Sequence, residues 1–306
     1  MPESRPRVSV IIPVYNQVEL LERCLHSLQR QTERHIEVLV VNDESPEDPG
    51  HVLARFPEVR ALQMERNGGY AAANNRGLPE ARGEYLLFLN SDTELPEEAL
   101  ERMGEYLDTH PDVAGIHPVH RDRDGGLQQM CFRFPTLRLG FVWDSVVHRR
   151  WPEHPLIRDF LMADWNGLTE RELEHASTSC LLFRREVYER IGGMDTNLRL
   201  FYNDTDFCYR LARAGFVLRY FPQVEILHHG GASVGTFTLA DAQVYGDRYR
   251  YYRKWFGWKG ALAVRTALWS RVWYETLTEL AHGDLRFAAR KLQRGIRLNR
   301  ALVPTP

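Results

Sequence analysis

Cysteine is scarce in this sequence, and its spacing matches no familiar site. The four cysteines, at positions 24, 131, 180 and 208 of 306, form no Cys-x-x-Cys pair and no cluster with histidine at zinc spacing. We therefore expect neither a disulfide framework nor a structural zinc. This cysteine usage fits a reducing, cytoplasmic environment.

Long hydrophobic runs are also missing. The first residues, MPESRPRVSVIIPVYN, contain no basic segment followed by a long apolar stretch, and no run of about 18 consecutive apolar residues occurs anywhere. We expect neither a signal peptide nor a membrane-spanning helix. Any membrane contact would be peripheral, at the inner face of the membrane.

A large excess of one charge is absent from the whole chain but present locally. The formal net charge is −2, and 43% of the residues are hydrophobic, which is enough for a sizeable core. Residues 241–306 carry 13 Lys/Arg against 5 Asp/Glu, a balance of +8, which leaves −10 for residues 1–240. The two parts therefore have different partners or partner each other. No nucleic-acid partner is expected.

Short apolar runs alternate with helical periodicity over the first part of the chain. Apolar-rich segments that we interpret as strands covered on both faces lie at residues 8–12, 36–41, 59–64 and 85–89. Helical spacing lies at residues 20–28, 50–56, 70–79 and 96–109. This alternation predicts an α/β fold with a mostly parallel sheet flanked by helices.

The pattern weakens in the middle of the chain and then returns. Residues 119–176 contain several prolines and little periodicity, so we interpret them as an insertion and loops. Further along we predict a strand at 180–183, a helix at 204–214, a strand at 216–221 that ends at Pro222, and helices after 236. The predicted organisation is one domain over 1–235 and a helical, basic extension over 236–306.

Polar residues follow each of the first four predicted strands, at 13–16, 42–45, 65–69 and 90–92. Because ligands of such sheets bind beyond the carboxyl ends of the strands, these segments are expected to converge on one site. Asp92 could bind Mg²⁺ or Mn²⁺, or could cap the next helix. Asp43 could accept a hydrogen bond from a pyrimidine base, or could form a local turn.

Three further segments carry candidate chemistry. Asn67 and Gly68 begin a small-residue segment whose amides could approach a ribose or phosphate, although a plain turn explains the glycines equally well. Asp204, in the first turn of a predicted helix, is either a helix-terminal acid or a general base. His228 and His229 follow, and one imidazole could complete a metal site with Asp92, or could be structural.

Taken together and in this order, the segments resemble a family 2 glycosyltransferase of the GT-A fold, in the branch that includes rhamnosyltransferases and galactofuranosyltransferases. The resemblance covers roughly three quarters of the chain. It rests on VSVIIPVYN (8–16), VVNDES (40–45), NGGYAAANNRG (67–77), YLLFLNSDT (85–93), GGMD (192–195), NDTDFCYR (203–210) and HHGGAS (228–233).

The resemblance implies a role for each site residue. A nucleotide base would be held by Pro13, Tyr15 and Asp43. Asn67 and Gly68 would line the nucleotide, and Asn90 and Ser91 would belong to the same donor-binding set. Mg²⁺ or Mn²⁺ would be bound by Asp92 and His228, and the catalytic base would be Asp204. Residues 119–176 would lie on the acceptor side.

The implied reaction is an inverting transfer from a nucleotide diphosphate sugar, dTDP-rhamnose or a UDP-sugar, to a hydroxyl of a glycan or lipid-linked acceptor. A metal ion would assist a single displacement. Three positions depart from the family pattern, because Asn42, Asn90 and Asn203 stand where acids are usual. Asn90 stands in the metal motif, so the metal site is less charged. Asp206 is the fallback candidate for the base.

Two rival interpretations remain. A catalytically silent sugar- or partner-binding module would account for the three asparagines as decay of the site. A sugar-nucleotide nucleotidyltransferase would be expected to carry a Gly-rich loop with Arg and Lys after the first strand, and Pro13-Val14-Tyr15-Asn16 does not resemble one. A dinucleotide oxidoreductase is disfavoured because its glycine fingerprint is missing.

The basic tail has two interpretations. Residues 284–300 could lie on an anionic membrane, or their apolar stripe could pack on the protein or on another subunit, which leaves an oligomer open. The residues at helical spacing are Leu285, Ala288, Ala289, Leu292 and Ile296. The tail tryptophans could be core residues, interface residues or lipid anchors; they are Trp255, Trp258, Trp269 and Trp273.

Overall fold

The computed structural model describes residues 5–230 and 237–302. They fall into two compact units. The first contains residues 5–132, 166–199 and 203–230, and the second contains residues 133–165, 200–202 and 237–302. Residues 133–165, which the sequence pattern groups with the insertion, therefore share a unit with the C-terminal helices.

The first unit is built on a nine-stranded sheet. The described strands are β1 (Val8–Val14), β2 (Ile36–Asn42), β3 (Arg60–Gln63), β4 (Tyr85–Leu89), β5 (Thr93–Glu94), β6 (Val113–Arg121), β7 (Cys131–Phe132), β8 (Arg171–Leu173), β9 (His175–Ala176), β10 (Cys180–Arg184) and β11 (Val217–His228). The order in the sheet is β3-β2-β1-β4-β10-β6-β11-β5, with β8 also paired to β11, while β7 and β9 form a separate pair.

Strand direction confirms the expected mixed, mostly parallel sheet. The pairs β1/β2, β1/β4, β2/β3 and β6/β11 are parallel. Strand β10 is antiparallel to both β4 and β6, so β6 and β11 run in the same direction as β1 to β4. Only β5, β8 and β10 run the other way among the described strands of this sheet.

The described helices are α1 (Val18–Gln29), α2 (Gly50–Leu53), α3 (Tyr70–Gly77), α4 (Ala99–Thr109), α5 (Leu137–Val142), α6 (Val146–Arg150), α7 (Pro155–Phe160), α8 (Arg185–Ile191), α9 (Asn203–Arg213), α10 (Phe237–Ala281) and α11 (Leu285–Ala301). A 3₁₀ turn at Leu78–Glu80 follows α3. Helices α5, α6, α7, α10 and α11 belong to the second unit and the others to the first.

Burial explains why the predicted elements of the first unit form. Every residue of β4 is buried, as its uninterrupted apolar run predicts. In α1, Leu21, Leu25 and Leu28 recur at helical spacing and are at most 3% exposed, so this face packs on the sheet. Helix α3 approaches the sheet closely because Gly77 leaves no room for a side chain: a Cβ there would lie 2.7 Å from Ile11 Cγ2.

The middle of the chain differs from the sequence-based predictions in three places. Strand β6, which reaches the centre of the sheet, was not predicted because histidines and a proline interrupt its apolar residues. The segment 119–176 contains short strands and helices rather than loops alone. Strand β11 continues through Pro222, since its register to β6 shifts between Phe221 and Glu225, and such an irregularity tolerates a proline.

The second unit is helical, as expected for the described residues after 236. Helix α10 changes direction at Gly257, whose φ of 58° lies in the left-handed region. Helix α11 packs on α10 where Gly295 faces Val272: a Cβ on Gly295 would lie 2.6 Å from a Val272 methyl. No helix in the described part of the chain is long and apolar enough to span a membrane.

The packing of α11 corrects the expected apolar stripe. Ala288 and Leu298 are 3% and 6% exposed, whereas Leu285 is 72% and Ile296 38% exposed. The packed face of α11 therefore runs through Ala288, Gly295 and Leu298, and part of the predicted stripe faces solvent. Of the four tail tryptophans, Trp258 and Trp273 are exposed and the other two are half-buried.

Candidate active site

The site lies entirely in the first unit, where several strand ends meet. Strands β1, β2 and β4 are adjacent and parallel, so the residues after each strand share one edge of the sheet. Strand β5 pairs with the end of β11, with Thr93 opposite His228. This pairing brings Asp92, one residue before β5, to His228, which is 136 positions later in the chain.

The loops at these strand ends adopt an unusual backbone conformation. Asn16 and Gln17 after β1 have φ of 62°, and Glu44 after β2 has φ of 56°, in the left-handed region that few side chains favour. Such residues each cost on the order of 1 kcal/mol or more and cluster at functional sites. Three of the six non-glycine residues with positive φ in the described chain lie at this sheet edge.

Asp43 is bound to the glycine segment by both carboxylate oxygens. Asp43 is 3% exposed, and its Oδ1 and Oδ2 accept hydrogen bonds from the Gly68 and Gly69 amides at 2.7 and 2.8 Å. Burial raises the pKa of this carboxyl, and the two amides only partly oppose that rise. The Asn67 side chain donates to the Asp43 backbone carbonyl at 3.0 Å. These contacts reach a segment 25 positions along the chain rather than a local turn. Holding this segment and binding a base can coexist, because each carboxylate oxygen keeps another lone pair.

Arg199 also holds the glycine segment, and it was not predicted. Its guanidinium donates to the Asn67 backbone carbonyl at 2.9 Å and contacts the Asn67 side-chain oxygen. Gly69 has φ of 83°, and a Cβ there would lie 2.2 Å from Arg199 Cγ, so only glycine fits. A positive charge therefore stands beside the segment expected to line the nucleotide.

The remaining predicted donor residues lie at the same edge. Pro13 pairs with Val41 near the ends of β1 and β2, and Tyr15, just beyond β1, is 37% exposed and could offer its ring to a base. Ser91 is 5% exposed in the turn between β4 and β5, beside Asn90. These positions are where the sequence predicts them, and their roles remain predictions.

Asp92 and His228, the two predicted metal ligands, lie next to each other. They are 4% and 6% exposed, and Asp92 Oδ1 lies 3.4 Å from His228 Nε2. Asn90 Nδ2 lies 3.5 Å from the same nitrogen, and Asn90 Oδ1 is buried without a hydrogen-bond partner. Gln128 binds the other side of the imidazole, accepting from Nδ1–H at 2.8 Å. The Nε2 lone pair therefore faces the Asp92 carboxylate, with the Asn90 amide group beside it, and a lone pair next to a carboxylate suits a cation.

This ligand set is small. In residues 5–230 and 237–302, no three His, Cys, Asp or Glu side chains converge to hold a metal ion. Carboxylate and amide oxygens suit Mg²⁺ and Mn²⁺, and donor phosphates commonly complete such sites. The neighbouring His229 has no ring nitrogen free to bind a metal ion. Glu94 accepts from its Nε2 at 2.7 Å, and Arg123 donates to its Nδ1 at 2.6 Å. Residues 231–233 of the HHGGAS segment lie outside the described residues.

Asp204 lies in the first turn of α9 with a partly exposed carboxylate. Its Oδ1 accepts from the Thr205 amide at 2.7 Å, and its Oδ2 lies 3.5 Å from His175 Nε2. Burial by itself raises the pKa of Asp204, but His175 and Thr205 outweigh burial and hold this pKa below its ordinary value. The fallback Asp206 is fully buried and paired with Arg210 at 2.8 Å, which gives it a structural role.

Residues 175–179 connect the two predicted metal ligands' neighbourhood to the candidate base. His175 lies 3.5 Å from Asp204, and the Ser179 carbonyl accepts a hydrogen bond from the Asn90 amide at 2.9 Å. Between them, the Thr178 carbonyl accepts from the Tyr70 hydroxyl at 2.9 Å. Burial raises the pKa of Tyr70.

Sequence reasoning also missed a group of buried histidines behind this site. His117 and His120 stack at 4.4 Å, and the His120 ring lies 5.6 Å from that of His228. Burial lowers the pKa of His120 to about 3, so it stays neutral. Both residues belong to β6, and because that strand was not predicted, no signal placed them here.

Comparisons with known proteins agree with this geometry. The model of glycosyl transferase family 2 matches residues 9–192. A Mycobacterium tuberculosis protein named N-acetylglucosaminyl-diphospho-decaprenol L-rhamnosyltransferase is 28% identical, over 86% of this chain and 92% of that protein. The Myxococcus xanthus O-antigen biosynthesis protein RfbC is 29% identical, over 83% of this chain but 20% of that protein.

Two solved structures share the fold. One is the mannosyltransferase PcManGT from Pyrobaculum calidifontis, in complex with GDP-Man and Mn²⁺: the TM-score is 0.59 and the identity 19%, over 98% of this chain and 87% of that one. The other is GalNAc-T7 with UDP, GalNAc and Mn²⁺: the TM-score is 0.55 and the identity 16%, over 82% of this chain and 51% of that one.

Proposed function

This chain belongs to glycosyl transferase family 2, with a GT-A fold, and on that premise we propose that it transfers a sugar with inversion from a nucleotide diphosphate sugar to a hydroxyl acceptor. It is an enzyme of the rhamnosyltransferase-like branch of that family. The observation that carries the proposal is that residues 175–179 contact the candidate base Asp204 at one end and the Asn90 turn, next to Asp92, at the other. A leaving-group site and a base would thereby act on the same anomeric carbon.

The proposed donor carries thymine or uracil, with dTDP-rhamnose as the first choice and a UDP-sugar as the second. Both bases have an imide N–H, which a free lone pair of the Asp43 carboxylate could accept. Tyr15 and Pro13 would flank the base, and Asn67, Gly68 and the nearby Arg199 would line the nucleotide. The name of the M. tuberculosis relative supports rhamnose as the transferred sugar.

Mg²⁺ or Mn²⁺ would be held by Asp92, His228 and the amide oxygen of Asn90. A bound divalent ion neutralises charge on a departing diphosphate, which is Lewis-acid assistance at the leaving group. The unpaired Asn90 Oδ1 and the orientation of His228 support this assignment. Ser91, in the same turn, would contact the donor.

Asp204 would accept the proton of the acceptor hydroxyl as that oxygen attacks the anomeric carbon from the face opposite the diphosphate. One displacement inverts the configuration. Thr205 and His175 hold the carboxylate from two sides, which orients one oxygen and keeps the group ionised. A positioned general base contributes roughly 10²–10⁴ in rate.

The acceptor is proposed to be a glycan or a lipid-linked sugar, made for a cell-envelope polysaccharide. The name of the M. tuberculosis relative includes a diphospho-decaprenol acceptor, which supports the lipid-linked form. Peripheral contact of residues 284–300 with an anionic membrane would suit such an acceptor. Leu285 and Phe287, at 72% and 47% exposed, support that contact, while Ala288 and Leu298 are occupied by packing.

The test is a transfer assay with dTDP-rhamnose and UDP-sugars, with and without Mn²⁺, analysed for released nucleotide and for product configuration by NMR. We expect release of dTDP or UDP and an inverted glycoside. A nucleotidyltransferase would instead consume pyrophosphate and release a nucleoside triphosphate. A silent binding module would be stabilised thermally by the nucleotide sugar and release nothing.

A further inference from the structure

A cationic pocket of about 570 Å³ lies in the second unit and shares no lining residue with the candidate active site. It forms where α6 approaches α10: the Val146 amide donates to Ser270 Oγ at 3.2 Å, and Arg150 Nη1 lies 3.5 Å from Tyr274 Oη. Arg149, Arg150 and Arg271 line it. No feature of the sequence singled out these residues.

Positive charge exceeds negative charge in and around this pocket. Glu275, 8% exposed, accepts from Arg271 at 2.9 Å and lies 3.5 Å from both Arg149 and Lys291. Asp144 contacts the other side of Arg271. With Arg150, the cationic side chains number four and the carboxylates two, which leaves a formal excess of two positive charges. The cations are Arg149, Arg150, Arg271 and Lys291, and the carboxylates are Asp144 and Glu275.

His148 does not alter this balance. Burial lowers the pKa of His148, and the positive charges of Arg248 and Arg271 lower it further. Asp144 acts in the opposite direction but does not outweigh them, so this pKa stays below its ordinary value. The Asp144 backbone amide donates to its Nδ1 at 3.0 Å, as expected for a neutral imidazole. The excess charge thus resides on arginines, whose planar guanidinium groups match phosphate oxygens in a bidentate way.

Large apolar side chains are exposed on the two helices that form the pocket. On α6 and just after it, Val147 and Trp151 are 38% and 53% exposed and lie one helical turn apart. On α10, Trp273 and Leu277 are 52% and 59% exposed with the same spacing, and Leu277 lies one turn from the pocket residue Tyr274. Exposed tryptophans beside basic residues are typical of surfaces that enter the interface of a bilayer.

We propose that this pocket binds the phosphate headgroup of an anionic membrane lipid, with Trp151 and Trp273 entering the boundary between headgroups and acyl chains. Charge complementarity identifies the headgroup, and the adjacent apolar side chains identify a lipid surface rather than a free anion. The inference rests on the proposed membrane contact, but it assigns recognition of the lipid headgroup to α6 and α10 rather than to residues 284–300.

The test is sedimentation of the full chain with vesicles, without donor or acceptor, so that its outcome is independent of catalysis. Vesicles of equal parts phosphatidylglycerol and phosphatidylcholine are compared with vesicles of phosphatidylcholine alone. The double variant Arg149→Ala/Arg150→Ala is compared with Arg30→Ala/Arg34→Ala, an equal loss of exposed charge in the first unit, and with Arg286→Ala/Arg290→Ala on α11. If the double variant Arg149→Ala/Arg150→Ala shows no cooperative thermal transition, the single variant Arg150→Gln is used in its place.

We expect the pocket variant to bind phosphatidylglycerol vesicles about 30-fold more weakly, because each basic side chain at an anionic surface contributes about a fivefold factor. The first-unit variant should bind like the wild type. If the α11 variant alone loses binding, the tail contact stands and the pocket inference fails. If inorganic phosphate raises Tm more than chloride of the same ionic strength does, while the pocket variant binds phosphatidylglycerol vesicles like the wild type, the pocket is a free-phosphate site. If no protein binds vesicles, both membrane proposals fail while the transfer reaction remains testable.

Discussion

Gln128 fixes which nitrogen of His228 carries the proton. The Gln128 amide group donates to the His228 backbone carbonyl at 2.9 Å, and a carbonyl can only accept, so Nε2 of Gln128 must face it. Oε1 then faces His228 Nδ1 at 2.8 Å, which must donate. The imidazole is thereby held as the Nδ1–H form, with its Nε2 lone pair directed at Asp92 and Asn90. Partners of this kind orient metal-binding histidines.

Replacing Gln128 by leucine should weaken Mn²⁺ binding by about 10- to 100-fold, the effect typical of losing such a partner. Gln128→Glu keeps an oxygen that accepts from Nδ1, so it should retain much of the affinity. Titration followed by the EPR signal of free Mn²⁺ measures this without turnover. Equal Mn²⁺ affinity in wild type and Gln128→Leu would show that the contact has no bearing on the metal.

Asp204→Asn should lower kcat by roughly 10²–10⁴ while leaving donor affinity nearly unchanged, because an amide cannot accept the proton of the acceptor. Single-turnover kinetics and the thermal shift produced by the nucleotide sugar separate the two effects. Asp206→Asn is the matched control two residues away: it breaks the buried pair with Arg210, so it should lower Tm. A mutant at 204 with near-normal turnover would eliminate Asp204 as the base.

The acid limb of the pH profile should respond to His175. Asp204 must be ionised to act as a base, and because its pKa is held below the ordinary value, kcat/KM should persist to unusually low pH. Without His175, burial dominates and the pKa of Asp204 rises, so His175→Gln should move the acid limb to higher pH. The profile of kcat/KM against pH checks this, with His110→Gln, at an exposed site, as the control. An unmoved limb in His175→Gln would separate His175 from the base.

Asp43→Asn should reduce both stability and discrimination between bases. The variant can accept from only one of the Gly68 and Gly69 amides, so a buried donor is left unpaired at a cost of about 1–3 kcal/mol. An amide can also donate to N3 of cytosine, so the preference for dTDP over dCDP should narrow. Nucleotide binding by calorimetry tests this, with Asn42→Asp beside it as the control. Reduced stability with an unchanged preference for dTDP over dCDP would show that Asp43 only holds the Gly68 and Gly69 amides.

Local sequence patterns were sufficient for the elements whose burial is complete. Strand β4 is an uninterrupted apolar run because both of its faces are covered, and a covered strand can be recognised without knowing what covers it. Asp43, Asp92 and Asp204 were identified as candidates because each follows a strand or opens a helix. Strand β6 was missed because His117 and His120 find partners inside the protein, which makes a buried strand read as polar.

The family, the α/β architecture and the residue types at the strand ends could all be inferred from the amino-acid sequence. How those residues are held depends on the folded chain. Gln128 meets His228 across 100 positions, and Arg199 meets Asn67 across 132. His175 reaches Asp204 through the pairing of β9 with β7. Hydrogen-bond partners, and hence tautomers and pKa shifts, depend on distances of about 3 Å between atoms, and these distances exist only once the chain has folded.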